Sequence, residues 1–109
     1  MGNFFDLHRH DEKSFFDGFG KPTELAQRAV ELGYPALGLS NHGNITGLVQ
    51  HWQACKEAGI KPVLGCEVYF QPKFNREKPE RKSYHLNLFA KNLEGYKNLC
   101  HMLTEANTK

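Results

Sequence analysis

A chain of 109 residues, 39% of them hydrophobic, is long enough for one domain or part of one and can bury a core. Its net charge of +2 is too small to mark a nucleic-acid-binding face by itself. Three cysteines (Cys55, Cys66 and Cys100) without C-x-x-C spacing disfavour a disulfide framework and fit a reduced, cytoplasmic protein.

The N-terminus has no basic segment leading into an apolar stretch, so no signal peptide is expected. No apolar run approaches the roughly 20 residues of a membrane span, and no membrane partner is expected. The first element is Phe4-Phe5-Asp6-Leu7-His8-Arg9-His10-Asp11. Its apolar start reads as a buried strand that ends at two histidines. Residues two apart on a strand share a face, so His8 and His10 can aim two imidazoles at one point. A polar loop containing Asp17, Gly18 and Gly20 follows.

Pro22 suits a helix start, with Glu24 in the first turn. Leu25, Ala29 and Leu32 recur at helical spacing, and Gly33 is the expected stop. Ala36–Ser40 then reads as a short strand of the kind buried in a parallel sheet, ending in a turn cluster from Asn41 to Asn44. A second helix carries Ile45, Leu48, Val49, Trp52 and Cys55 on its apolar face and stops at Gly59. Pro62–Phe70 reads as a third strand with Glu67 in its middle. Strands about 30 residues apart, separated by helices, are what βαβ units and a parallel sheet require.

Residues 71–82 form a loop with five basic and two acidic side chains. A solvated connection explains it best, with phosphate-backbone contact as the rival reading. Tyr84–Ala90 is a fourth strand. A last helix from about Leu93 is expected to bury Tyr96, Leu99, Cys100 and Leu103. Cys55 and Cys100 fall at helix core positions and read as small buried apolar residues. There is no G-x-G-x-x-G after any strand and no phosphate-cradling glycine loop, which disfavours a nucleotide-binding doubly wound sheet.

The metal-capable side chains cluster at strand positions: His8 and His10 after the first strand, Asp17 in the next loop, His42 after the second strand, Glu67 in the third and His85 in the fourth. In a parallel α/β architecture the C-terminal strand ends converge on one rim. Six ligands exceed the four that close a structural zinc site, and they suit two or more divalent ions acting on a phosphate ester. Imidazole and carboxylate without thiolate point to Zn, Mn or Fe. His85 sits near the start of its strand, which the rim picture does not explain. Glu67 within an apolar strand needs a cation or donors, because a buried carboxylate is otherwise costly. His51 and His101 lie on polar helix faces and are expected to be exposed bystanders.

Four stretches, FFDLHRHDEKSFFDGFG, ELGYPALGLSNHGNITG, AGIKPVLGCEVYF and YHLNLFAKNLEGYKNL, resemble the N-terminal part of the PHP (polymerase and histidinol phosphatase) family. Within that family they are most similar to the DNA polymerase III alpha branch of bacteria and phages. The resemblance implies an α/β fold, a partial β/α barrel made of the first four strands and three helices of a seven-stranded PHP barrel. It implies a metal set of His8, His10, Asp17, His42, Glu67 and His85, with His8, His10, His42 and Glu67 carrying catalysis. The activity implied is that of a metal-dependent phosphoesterase or 3′–5′ exonuclease on DNA or another phosphate ester. Two alternatives stand beside it: a non-catalytic remnant that binds a partner, and a small phosphatase of the histidinol-phosphatase kind.

Two departures from the family stand out. Asn41 occupies a place where the family usually has Asp, and an amide cannot supply a carboxylate's charge to orient a neighbour. Residues 1–109 also cover only about half of a barrel that requires roughly 200 residues. The chain alone is therefore expected to expose a strand edge and apolar faces, and to need another polypeptide or a second copy to complete the barrel.

Overall fold

The computed structural model describes residues 4–11, 13, 20–71 and 84–108. In chain order the elements are α1 (Pro22–Glu31), β1 (Ala36–His42), α2 (Leu48–Ala58), β2 (Lys61–Phe70), β3 (Tyr84–Phe89) and α3 (Leu93–Thr108). Pro22 opens α1, and the chain leaves α1 and α2 through Gly33 and Gly59, as their sequence signals require.

β1, β2 and β3 form one sheet in that order. β1 and β2 run parallel, from Ala36 opposite Lys61 to His42 opposite Glu67. α2 makes the crossover between them, as a βαβ unit demands. The core lies where α1 and α2 cover β1: Ala26, Ala29, Leu37, Ala54 and Cys55 form it, with Tyr34 and Ile60 packed against them. β1 is buried from Ala36 to Asn41, in keeping with its unbroken apolar start.

The expected parallel sheet fails at β3, which pairs antiparallel with β2, Gly65 facing Phe89 and Phe70 facing Tyr84. A parallel return would need a crossover element, and the sequence between the two strands, with Pro72 and Pro79, offers no helical pattern to supply one. The charged loop read over 71–82 lies outside the described residues apart from Gln71.

The first expected strand is also corrected, leaving three strands among the described residues in place of four. Residues 4–11 run beside β1 without forming a strand, and Phe4 is 67% exposed. The Gly38 N–H donates to Asp6 O at 2.8 Å and the Ser40 N–H to Arg9 O at 2.8 Å. Three steps along the segment thus oppose two along β1, the mismatch of a bulge. The Arg9 N–H turns back to Leu7 O at 3.1 Å, which takes it out of any ladder. Gly38 permits this close approach, since a Cβ there would come 2.7 Å from Leu7 Cα.

α2 buries a different face from the one expected. Leu48, His51, Ala54 and Cys55 are inside, while Val49 and Trp52 are exposed. His51, expected on the surface, is 2% exposed; its ring Nε2 donates to Leu37 O at 3.0 Å, which satisfies the polar tip. His101 is exposed, as expected. α3 fully buries only Leu99, with Tyr96, Cys100 and Leu103 half-buried. Of the two helix cysteines, Cys55 is fully buried and Cys100 is not.

Among the described residues no helix is long and apolar enough to cross a membrane.

Candidate metal centre

Glu67 is the hub. It lies in mid-β2, is 2% exposed, and faces His42 across the parallel ladder. Its Oε2 receives His8 Nε2 at 2.8 Å and His10 Nε2 at 2.7 Å, with His42 Nδ1 at 3.4 Å. Its Oε1 meets His85 Nδ1 at 2.7 Å. The four imidazoles form a row around the carboxylate, with ring centroids 5.3 Å apart for His8 and His10, 4.2 Å for His10 and His42, and 5.2 Å for His42 and His85.

Each histidine arrives by a different route. The bulged segment beside β1 delivers His8 and His10, and β1 ends at His42. The antiparallel course of β3 explains His85. Because β3 runs opposite to β1 and β2, its start lies at their C-terminal ends, so a residue near its beginning joins the same rim. Glu67 faces Asn87 in register, and His85, two residues from Asn87, is its diagonal neighbour on the same face.

Burial alone would raise the Glu67 carboxyl. The hydrogen bonds from His8 and His10 and the charges of His8 and His42 outweigh it and hold the group below the usual glutamate range. The thiols stay out of this chemistry: burial pushes Cys55 and Cys66 up to about 11, so both are protonated at neutral pH.

Two overlapping groups have a metal-ligand arrangement, His8 with His10 and Glu67, and His42 with Glu67 and His85, the ligand atoms of each lying within 4.8 Å of one another. Neutral imidazoles and a carboxylate are the donor set for a borderline transition metal. A further observation fits an ion: Asn87 Oδ1, on the Glu67 face, is buried with no hydrogen-bond partner. An orphaned buried acceptor beside a carboxylate is what a cation or its bound water would satisfy. The residues present therefore fit a metal.

Asp17, also a candidate ligand, lies outside the described residues. Asn41, the departure from the family pattern, hydrogen-bonds Asp11. Sequence reasoning missed Asn87, whose place opposite Glu67 depends on the antiparallel register. It also missed Tyr69, an exposed ring whose centroid lies 6.5 Å from that of His42 and 5.3 Å from that of His85. The alternation of β2 carried a signal for Tyr69, because it lies two residues after Glu67 on the same face.

The PHP domain model matches residues 6–109. The chain belongs to the PHP domain family. It is homologous to the N-terminal region of DNA polymerase III alpha subunits, with 38% identity over 107 residues to that of Chlamydia pneumoniae and 43% over 97 residues to that of Helicobacter pylori strain 26695. These alignments cover 94% and 88% of this PHP chain but only 9% and 8% of those subunits, so the chain spans about a tenth of the curated relatives it matches. Two solved structures share its fold. One is a Bifidobacterium adolescentis protein assigned as a metal-dependent phosphoesterase, with TM-score 0.63, 24% identity, and 89% of this chain and 32% of that one covered. The other is a Chromobacterium violaceum amidohydrolase with bound sulfate and no metal, with TM-score 0.65, 26% identity, and 92% and 33% covered.

Proposed function

We propose that this chain carries part of a PHP-type phosphoesterase centre, as the N-terminal PHP segment of a DNA polymerase III alpha-like protein. The observation that carries this reading is the convergence of four imidazoles on one buried carboxylate, Glu67. His8, His10, His42 and Glu67 are the catalytic set, with His85 and Asp17 completing the ligand shell. A bound Zn, Mn or Fe ion would supply Lewis acidity and a water of lowered pKa for attack on a phosphate ester, and two ions would clamp the attacking and leaving oxygens.

The chain's own residues do the rest. The side chains of His8 and His85 are half exposed, leaving one side of the cluster open to a substrate phosphate. His10 and His42 are largely covered and hold the inner side. Glu67 keeps its charge because its neighbours favour the ionised form, so it is ready to bind a cation at neutral pH. The substrate is a DNA 3′ end or another phosphate monoester or diester, and the barrel is completed by strands outside residues 1–109, whether of the same polypeptide, another one or a second copy.

A second reading, a partner-binding module without catalysis, draws on exposed apolar side chains. Val49, Trp52, Leu64, Ala90, Leu93 and Tyr96 line one groove, and Leu93 is 68% exposed. A phosphodiesterase assay with added Mn or Zn, run beside sedimentation of the same sample, separates the two. Metal-dependent hydrolysis that His10→Ala abolishes supports the first reading. Bound metal without hydrolysis in any assembly state supports the second.

A further inference from the structure

Asp11 and Asn41 meet through a reciprocal pair of hydrogen bonds. The Asp11 backbone N–H donates to Asn41 Oδ1 at 2.9 Å, and Asn41 Nδ2 donates to Asp11 Oδ1 at 2.7 Å. Both residues are 1% exposed. The Lys13 N–H adds a third bond, to Asp11 Oδ1 at 2.8 Å. Asp11 Oδ2 is buried with no hydrogen-bond partner and lies against Gly47, the N-cap of α2, where a Cβ would come 2.6 Å from it. Glycine at 47 therefore makes room for the carboxylate at the N-terminal end of α2.

The location of the pair gives it a second meaning. Asp11 directly follows His10, and Asn41 directly precedes His42. The rings of those two histidines are 4.2 Å apart, the shortest of the three ring spacings along the row. The segment bearing His8 and His10 is not a strand and has few ladder bonds to β1, so its distance from His42 needs another restraint.

We infer that Asp11 and Asn41 are positioning residues, a buried clamp that fixes His10 against His42, and that the carboxylate at 11 obliges an amide at 41. The inference rests on the metal-centre reading above. The amide at 41 accepts from the Asp11 N–H through Oδ1 and donates to the Asp11 carboxylate through Nδ2, whereas an ionised carboxylate at 41 could only accept. A carboxylate at 41 would put a second negative oxygen where the 2.7 Å bond now lies, in a buried setting where like charges repel strongly. Asn41 is thus fitted to this chain's Asp11, and the negative charge of the pair sits on residue 11.

Three variants of the full chain test this: Asn41→Asp, Asp11→Asn, and the two combined. Each is titrated with Co²⁺ by its visible absorption, which reports ligand geometry as well as affinity, and each is unfolded in urea without metal. Asn41→Asp should lose about tenfold to 100-fold in Co²⁺ affinity and show an altered band at saturation. Asp11→Asn should fall between it and the wild type. The combined variant re-forms one carboxylate–amide pair in reverse, lacking only a good acceptor for the Lys13 N–H. It should regain most of the affinity and the wild-type band, with strong non-additivity in urea.

If Asn41→Asp is too unstable to titrate, the combined variant decides alone: recovery of fold and band supports the clamp, and failure to recover either overturns it. An Asn41→Asp protein with wild-type affinity and band also overturns it. A wild-type chain that takes up no Co²⁺ fails at the first step, which removes the metal centre and the clamp's role in it together.

Discussion

Glu67 Oε1 and His85 Nδ1 stand 2.7 Å apart although neither faces the other in the ladder: Glu67 pairs with Asn87, and His85 with Tyr69. The contact runs diagonally across an antiparallel pair of strands, within reach of long side chains. It ties β3 to a rim otherwise built by β1, β2 and the segment before α1. His85→Ala should therefore weaken metal binding by more than about tenfold, while His101→Ala, an exposed change on α3, should leave it unaltered. Parallel titrations with Mn and Zn compare the two.

Asn87 should behave in opposite ways with and without metal. Its Oδ1 is buried and unpartnered in the protein, so Asn87→Val removes a desolvation cost of about 1–3 kcal/mol and should keep or raise the stability of the metal-free chain. Metal affinity should fall. Urea unfolding with and without saturating Mn measures both effects; a loss in the metal-free state alone would assign Asn87 a purely structural part.

His51 should make the fold sensitive to mild acid. Burial lowers its pKa below the ordinary 6.5, only partly offset by its bond to Leu37 O and the charge of Asp11. Between the folded and unfolded values the unfolded chain binds the extra proton, so this contribution is complete above pH 6.5 and declines as pH falls below it. Glu67 is depressed from 4.5, so its contribution holds above that pH and is lost further down as pH falls through the folded value. His51→Gln keeps a donor for Leu37 O without the titration. It should cost about 1 kcal/mol at pH 7.5 and flatten the stability slope between pH 7 and 5.5, read by urea unfolding at each pH.

The thiols should be inert in the folded protein. Cys55 and Cys66 are buried and raised to about 11, so an alkylating reagent at pH 7.5 should modify them only after unfolding, with Cys100 reacting first. Mass spectrometry of the alkylated chain at increasing urea follows the order.

The parts of the fold legible in the sequence were those where one local pattern settles the outcome. α1 was readable from Pro22 to Gly33 because start, stripe and stop agree, and β1–α2–β2 because its strand spacing admits a parallel crossover. His8 and His10 were readable as a pair because their spacing survives the bulge that replaces the expected strand. The direction of β3 was not, because the spacing of the preceding strands argued for one parallel sheet and outweighed the lack of a crossover helix before Tyr84. That one fact hid why His85, at the start of its strand, belongs to the rim, and why Asn87 faces Glu67. His51 was misplaced because its polarity argued for solvent, while the acceptor that buries it, Leu37 O, belongs to a distant backbone. Asn41 looked like a lost charge until Asp11 was found against it.

Whether the histidines around Glu67 hold a transition metal decides what this site does. The decisive measurement is elemental analysis of the purified 109-residue chain beside its His10→Ala variant, each also exposed to a slight excess of Zn or Mn and then desalted. The wild type should retain at least one ion per chain and gain thermal stability from it, and His10→Ala should retain far less. Equal metal content in the two proteins, or none in the wild type after loading, would contradict the account.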